Sequence, residues 1–282
     1  MAGAERWLLR SLPLAPSVSW TPYADLALFS LQKGDLSEAA RKLEDGLAFF
    51  PGSRGLVLMK ARVLARSGDV EGAAEILSGL LSARPTDSEA ALLLLFLRLS
   101  ALSPEAVRAR LWTLFEAAPM DPVVFDRLAS ALAAARDWGG MRLAVEERQA
   151  AGGAPDAHSL VLQGFAAAMS GDDEGALSAF RQADLKARDG TAGFDAALVL
   201  LRRGTPQAAR DELESASAEI RATAEAAERA RLLSRVETVR GAALILEGDS
   251  EGAAAALSRA RQLDPYNLRA SLLLRKLEAG GQ

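Results

Sequence analysis

Apolar residues in this chain recur in segments of helical length. These segments alternate between two kinds, first segments and second segments, and each kind carries a small residue at a matching position. Most first segments carry one at Ala27, Ala61, Ala129, Gly164, Ala197 or Gly241. Second segments carry alanine at Ala39, Ala73, Ala176, Ala209 and Ala253, followed four residues later by Leu43, Leu77, Phe180, Leu213 and Leu257. Small residues let two helix axes approach to the short end of the usual range of about 8–10 Å. The pattern therefore predicts pairs of helices in close contact.

Turn-forming residues separate these segments at a fixed interval. The pair Gly34-Asp35 recurs 34 residues later as Gly68-Asp69, and it returns at Gly171-Asp172 and Gly248-Asp249. Proline recurs at the same interval, at Pro51, Pro85 and Pro119. Glycine ends a helix in the left-handed conformation, aspartate accepts hydrogen bonds from the first amides of the next helix, and proline cannot continue a helix. Each period is therefore predicted to be a helix, a tight turn, a second helix and a stop.

Composition supports an all-α chain. Half of the 282 residues are apolar but only 5% are aromatic, which suits closely packed helices better than a sheet sandwich. The net charge of −4 provides no basic field for phosphates, so nucleic acid is not expected as a partner. The longest apolar run, residues 90–97, remains shorter than the roughly 20 residues of a membrane-spanning helix even when it is extended through Arg98 to Leu102, so no direct membrane span is expected.

The unit of two helices, each with a small residue, and a terminal proline resembles the tetratricopeptide repeat, most closely over residues 164–183 and 241–265. The resemblance implies a right-handed α-solenoid, or superhelix, of about seven helix-turn-helix repeats plus a C-terminal capping helix. Residues 1–19 are predicted to be a partial repeat, namely the second helix of a truncated hairpin, and residues 20–265 the repeats. Residues 266–282 are predicted to be the capping helix, with Leu268, Leu272 and Leu273 facing inward. A chain that begins inside a repeat is expected to be a piece of a longer polypeptide.

Three places depart from the repeat. Leu102-Ser103-Pro104 stands where the third Gly-Asp turn is expected, and Arg136-Asp137-Trp138 stands at the fourth. Between Gly204 and Gly248 the interval is 44 residues instead of 34. Because residues 207–240 contain neither glycine nor proline, the ten extra residues are expected to lengthen both helices of that hairpin, which should protrude by a turn or more.

No residue pattern indicates catalysis. His158 is the single histidine and cysteine is absent, which leaves little from which to build a catalytic triad or a metal site. Acidic pairs such as Glu146-Glu147 are expected to be solvated or helix-capping residues. The chain is therefore predicted not to be an enzyme, with no catalytic residue, no metal ligand and no cofactor.

In the family that the chain resembles, the first helices of the repeats line a concave groove. The corresponding positions are largely apolar and are predicted to bind a peptide, helix or protein partner, with arginines able to meet acidic groups: Leu58, Arg62, Arg66, Leu92, Phe96, Leu99, Val161, Phe165, Phe194, Leu198 and Leu201. The lysine and asparagine clamp of chaperone-binding members is absent, since the matching positions are Ala24, Leu28, Leu58 and Arg62. Two alternatives stay open, because a tight superhelix would bury these side chains against its own next turn and a homodimer would cover them.

The leading hypothesis is a non-catalytic scaffold for protein-protein interaction within a larger assembly. The alternative is a regulatory or targeting arm of a longer enzyme or transcription regulator whose active domain lies outside this chain. Residues 1–7 contain an acid and a base where a secretory signal would have a cationic end and a clean apolar stretch. The expected location is cytoplasmic by default, and periplasmic if the chain comes from a cell-envelope protein.

Overall fold

Helices make up all the regular secondary structure in the part of the chain that the computed structural model describes, which comprises residues 2–12, 16–152 and 155–280. A short 3-10 helix, Leu99–Ala101, follows the sixth α-helix. The α-helices are α1 (Ala2–Ser11), α2 (Thr21–Gln32), α3 (Leu36–Phe49), α4 (Arg54–Ser67), α5 (Val70–Ala83), α6 (Ser88–Leu97), α7 (Pro104–Ala117), α8 (Pro122–Ala134), α9 (Trp138–Gly152), α10 (Ala157–Ser170), α11 (Asp173–Ala187), α12 (Thr191–Arg202), α13 (Pro206–Thr223), α14 (Ala226–Glu247), α15 (Ser250–Leu263) and α16 (Leu268–Gly280). In sequence order this is one leading helix, seven helix-turn-helix pairs and one final helix, which confirms the predicted all-α class.

The helices form two compact units, residues 1–131 and residues 132–282. In the first unit each helix from α1 to α6 packs against the next, and the ring of Phe115 in α7 lies 5.9 Å from that of Phe125 in α8. In the second unit each helix from α9 to α15 packs against the next. Each unit is therefore held together mainly by contacts between neighbouring elements, as in stacked repeats.

The matched residues of the second helices lie in the cores of these units. Their alanines are completely buried, and the larger residues that follow are at most 1% exposed; the set is Ala39, Leu43, Ala73, Leu77, Ala176, Phe180, Ala209, Leu213, Ala253 and Leu257. Full burial of a leucine or phenylalanine side chain contributes about 1.5–3 kcal/mol relative to leaving it exposed. The predicted packing role of the repeated apolar pattern is confirmed.

The Gly-Asp turns adopt the conformation that the sequence predicts. Gly68, for example, ends α4 in the left-handed conformation with a φ of 93°, and the Oδ1 atom of Asp69 accepts a hydrogen bond from the Gly72 amide at 2.9 Å. Aspartate caps with distances of 2.8–2.9 Å also begin α3, α11 and α15, at Asp35, Asp172 and Asp249. A cap of this kind stabilises a helix by about 1 kcal/mol.

The two irregular turns use other residues for the same tasks. At the fourth turn Arg136 takes the left-handed conformation with a φ of 56°, and Asp137 accepts from the Gly140 amide at 2.8 Å. At the third turn Ser103 accepts from the Ala106 amide at 3.2 Å, and Pro104 occupies the first position of α7. Proline suits that position because its missing N–H would have no partner inside the helix.

The ten extra residues between Gly204 and Gly248 lengthen two helices, as predicted. Helix α13 has 18 residues and α14 has 22, whereas α15 has 14.

A buried polar network joins the middle of α14 to the start of α16. The side-chain amide of Asn267 donates to the hydroxyls of Ser234 at 2.8 Å and Thr238 at 2.9 Å, and Ser234 donates to the carbonyl of Ala260 at 2.7 Å.

The last helix corrects one expectation. Leu268 and Leu272 were expected to face inward, but they are 76% and 58% exposed, and this part of the prediction is wrong. The inward face instead carries Ala270 and Leu274, which are buried, together with Leu273, which is partly buried. The apolar stripe that contacts α15 is therefore rotated around α16 relative to the predicted one. Because α16 has leucines on several sides, its sequence does not show which side faces inward.

Candidate functional site

A groove in the first unit is formed by three first helices, α4, α6 and α8. It has a volume of 560 Å³. Helix α4 contributes arginines, α6 contributes apolar residues and a carboxylate, and α8 contributes an apolar residue and an arginine. We call it the α4–α6–α8 groove, and its principal residues are Arg54, Arg62, Glu89, Leu92, Phe96, Asp121, Val123 and Arg127.

An ion-pair network fixes one wall of this groove. The guanidinium of Arg54 donates to both carboxylate oxygens of Asp87, at 2.6 and 2.9 Å, and to Glu89 at 2.7 Å. Arg62, further along α4, donates to the other oxygen of Glu89. Two parallel hydrogen bonds between arginine and carboxylate define orientation as well as distance. The network therefore holds α4 and α6 in a fixed relation along the groove.

Asp87 has a second task in the same network. Its carboxylate caps α6 by accepting from the Ala90 amide at 3.1 Å, and its side chain is only 4% exposed. The hydrogen bonds from Arg54 lower the pKa of Asp87, and the Ala90 amide adds to this shift, while burial opposes it. The pKa of Arg54 is raised in turn, first by its hydrogen bond to Asp87. Both groups are therefore charged across the physiological range.

The floor and far wall of the groove combine exposed apolar surface with positive charge. Phe96 is 41% exposed, and Val123 at the start of α8 is 53% exposed. The guanidinium of Arg127 lies over the Phe96 ring, 5.1 Å from its centroid. Among the described residues Arg127 has no carboxylate within ion-pair distance. Its charge is therefore available to a group that enters the groove.

A second depression lies alongside and has Arg62 and Leu93 in common with the first. It has a volume of 340 Å³, and its lining includes Arg66, Leu97 and two alanines of α4. Arg66 is exposed, and no carboxylate of the described residues is in ion-pair contact with it. The two depressions together present an apolar strip along α6, flanked by arginines of α4 and α8.

The structure places the predicted groove residues of the first unit in different environments. Arg62, Leu92 and Phe96 meet in the α4–α6–α8 groove, and Arg66 lies in the adjoining depression. Leu92 is 4% exposed and forms part of the groove floor. Leu58 is 3% exposed and packs in the core beside Ala61 and Leu77, so a partner cannot reach it. Leu99 lies in the 3-10 helix and is 37% exposed.

The predicted residues of the second unit are mostly packed against its own core. Phe194 is 8% exposed, and Val161, Leu198 and Leu201 are partly buried against the same cluster. Phe165 is 40% exposed, with its ring edge-on to Phe180 at 5.4 Å. These side chains stabilise the second unit, and only Phe165 offers a large exposed surface.

Sequence reasoning missed several residues of the groove, including Arg54, Glu89, Val123 and Arg127. Arg54 is the first residue of α4 and precedes its apolar residues. Its position on the groove side is therefore apparent only from its ion pair with Asp87 in the structure. Val123 and Arg127 belong to α8, whose hairpin lacks the usual Gly-Asp turn. Without a Gly-Asp turn, this hairpin lacks the reference point from which the inward-facing positions of the other hairpins are counted.

Other chemistry is sparse in the described residues. No group of three or more histidine, aspartate or glutamate side chains is arranged there to hold a metal ion. None of the helices in the described ranges combines the length and apolar character needed to cross a membrane.

Comparison with known proteins gives the same helical-repeat fold as the one described above. Residues 30–95 match a family model described as tetratricopeptide repeat. A tetratricopeptide repeat protein from Parabacteroides merdae ATCC 43184 is similar in structure with a TM-score of 0.54 and 14% identity, covering 92% of this chain and 98% of that chain. The C-terminal part of a TPR repeat-containing protein from Cytophaga hutchinsonii gives a TM-score of 0.60 and 16% identity, covering 88% of this chain and 98% of that chain. No curated protein sequence matches the chain.

Proposed function

We propose that this chain, whose helices are arranged as in tetratricopeptide repeat proteins, is a non-catalytic scaffold. It binds a partner in the α4–α6–α8 groove. The proposed occupant is a peptide segment or helix of a partner protein that carries both apolar and acidic side chains. The observation that carries this proposal is Arg127 above the exposed Phe96 ring, with no carboxylate partner of its own among the described residues.

Apolar contact would supply much of the affinity. Phe96, Val123 and the strip along α6 present surface that a leucine or phenylalanine of the partner would remove from water, at about 25 cal/mol per Å². A groove lined by apolar side chains of successive helices suits the apolar face of an amphipathic segment. The partner is therefore expected to be anchored by large apolar residues.

Charge would select the partner. Arg54 and Arg62 are balanced by Asp87 and Glu89, whereas Arg66 and Arg127 have no ion-pair partner among the described residues. An acidic side chain beside the apolar anchor would complete pairs with these two arginines. A basic segment of equal apolar content would leave these two arginines unpaired.

Selection from a random peptide library displayed on phage, with the full chain as bait, tests this proposal. Enrichment of sequences that combine leucine or phenylalanine with aspartate or glutamate is expected, and the enriched peptides should lose at least about tenfold in affinity on Phe96→Ala or Arg127→Glu. Leu185→Ala, which removes an exposed leucine of α11 in the second unit, is the matched control and should bind normally. Enrichment of basic peptides, or binding that both groove variants leave unchanged, would overturn the proposal.

A further inference from the structure

A small cavity opens between α12, α13 and α14 in the second unit. Its volume is about 70 Å³, which is room for a group of about three to five heavy atoms. Its walls are mostly apolar, but a carboxylate and a guanidinium also border it. The lining residues are Thr191, Phe194, Asp195, Ile220, Leu232, Arg235 and Val236.

One lining residue of this cavity, Leu232, lies on a part of α14 that exists because the helix begins early. In α10 the matched small residue, Gly164, comes seven residues after the first residue of the helix, whereas in α14 the equivalent Gly241 comes fifteen residues after it. Leu232 lies nine residues before Gly241, on the part of α14 that an ordinary repeat lacks. The longest departure from the repeat therefore contributes Leu232 to the lining of this cavity.

The carboxylate of Asp195 is the unusual group in the cavity. Asp195 is partly buried, and no donor of the described residues lies within hydrogen-bonding distance of its side chain. Burial raises its pKa to about 6, although the nearby charge of Arg235 lowers it. A desolvated carboxylate without hydrogen bonds destabilises the fold, which makes it a candidate for a group that a ligand satisfies.

The guanidinium of Arg235 also borders this cavity. It lies over the Phe194 ring, 4.8 Å from the centroid, and it is not in ion-pair contact with Asp195. Stacking occupies a face of the guanidinium and leaves its N–H groups able to donate. The cavity is therefore bordered by both a hydrogen-bond acceptor and a hydrogen-bond donor, around a space of side-chain size.

We propose that this cavity binds the carboxamide end of an asparagine or glutamine side chain of a partner. The amide NH₂ would donate to Asp195, and the amide oxygen would accept from Arg235. An uncharged amide offers a donor and an acceptor at once, whereas an ammonium group would face the charge of Arg235 and a carboxylate that of Asp195. The aliphatic stem of the side chain would contact Leu232 and Val236.

Binding of three small probes of similar size to the full chain tests the assignment. Propanamide, propylammonium and propanoate are titrated separately, and the amide resonances of Phe194 and Val236 are followed by NMR. Saturable shifts are expected with propanamide, at a lower concentration than with either charged probe. A hydrogen bond to a charged group is worth about tenfold or more in affinity, so Asp195→Ala and Arg235→Met should each weaken propanamide by at least that factor.

The matched controls are Asp211→Ala and Arg231→Met, which remove exposed charges from α13 and from the preceding turn of α14. Both should bind propanamide as the parent chain does. If Asp195→Ala loses helicity by circular dichroism, Asp195→Asn replaces it and is also expected to bind more weakly, because it loses the charge of the acceptor. Preference for either charged probe, no saturable shift with any probe, or unchanged propanamide binding in a folded Asp195 variant would overturn the proposal.

Discussion

Gly164 of α10 lies directly against the ring of Phe180 in α11. A Cβ atom added at Gly164 would be 2.6 Å from the Cε1 atom of Phe180, closer than real Cβ contacts. Phe180 is 1% exposed and its ring also contacts Phe165, so it has little room to move away. At Gly164, therefore, the helix contact leaves no room for even one methyl group.

Gly164→Ala is expected to lower the free energy of unfolding of the second unit by about 1–3 kcal/mol, because the methyl group overpacks the contact. Urea unfolding followed by circular dichroism would measure the change. Gly79→Ala is the control, since a Cβ there meets nothing within 4 Å, and it should stabilise α5 by about 0.5–1 kcal/mol. Equal effects at the two glycines would contradict the packing argument.

Asp87→Ala is expected to cost more stability than Asp69→Ala. Both aspartates cap a helix, so each loses about 1 kcal/mol with the cap, but only Asp87 also receives two hydrogen bonds from Arg54. Breaking a pair whose carboxylate is buried should add about 1–3 kcal/mol. Thermal melts of the two variants measure the difference, and similar melting temperatures would show that the pair with Arg54 contributes little.

The same pair predicts acid sensitivity. The pKa of Asp87 is lower in the folded state than its ordinary value, so its contribution is present above that ordinary value and is lost as the pH falls through the folded pKa. The stability difference between the parent chain and Asp87→Asn should therefore shrink as the pH is lowered below about 4. Urea unfolding at several acidic pH values measures this difference, and a difference that stays constant would count against the role of the charged pair.

Asp195→Asn is expected to have the opposite pH dependence. Burial raises the pKa of Asp195 to about 6, so the folded state binds the proton more tightly, and the parent chain loses stability as the pH rises from about 4 to 6. Asparagine lacks this titration and should be more stable than aspartate by about 1–2 kcal/mol at pH 7, with little difference at pH 4. Urea midpoints at the two pH values decide the matter, and a destabilised Asp195→Asn at pH 7 would refute it.

Glu219→Gln is expected to stabilise the chain at neutral pH by about 1 kcal/mol. The Oε2 atom of Glu219 is buried without a hydrogen-bond partner among the described residues, and burial and the charge of Asp184 raise its pKa. Because the pKa of Glu219 is raised, the stability of the parent chain falls as the pH rises. The stability gained by Glu219→Gln should therefore appear at pH 7 and fade in acid.

The control for this change is Glu214→Gln on the same helix. Glu214 is exposed, and its ion pair with Arg240 lies at the surface, where such pairs contribute little to stability. Melting temperatures measured from acid to neutral pH should therefore rise at pH 7 for the Glu219 variant and stay close to the parent for the Glu214 variant. A similar gain in both variants would show that the burial of Glu219 is not the cause.

The local features of this fold were predictable from the sequence because they depend on neighbouring residues. Gly68-Asp69 encodes its own turn and cap, and the matched pair Gly164 and Phe180 encodes a close helix contact. The rotation of each helix was harder to predict. Leu58 lies in the core and Leu268 in solvent, although both are leucines in helices with apolar residues on several sides, because the neighbouring helices decide which face is covered.

The candidate sites were less predictable for a related reason. Arg127 and Phe96 are 31 residues apart and meet only because α6 and α8 stand side by side. The cavity at Asp195 depends on Leu232, which the extended start of α14 brings into place. Neither arrangement has a signature in the spacing of residues, and irregular turns or lengths hide the register that would reveal it.

The ion pairs that join successive repeats also bear on how each unit folds. Arg54 and Asp87 are 33 residues apart, and Arg181 and Glu212 are 31 residues apart, so each closes a loop of one repeat and no more. Loops of this size cost little entropy, and proteins dominated by contacts at short sequence separation fold in microseconds to milliseconds. Each unit is therefore expected to assemble quickly from adjacent hairpins, without waiting for distant parts of its chain to find one another.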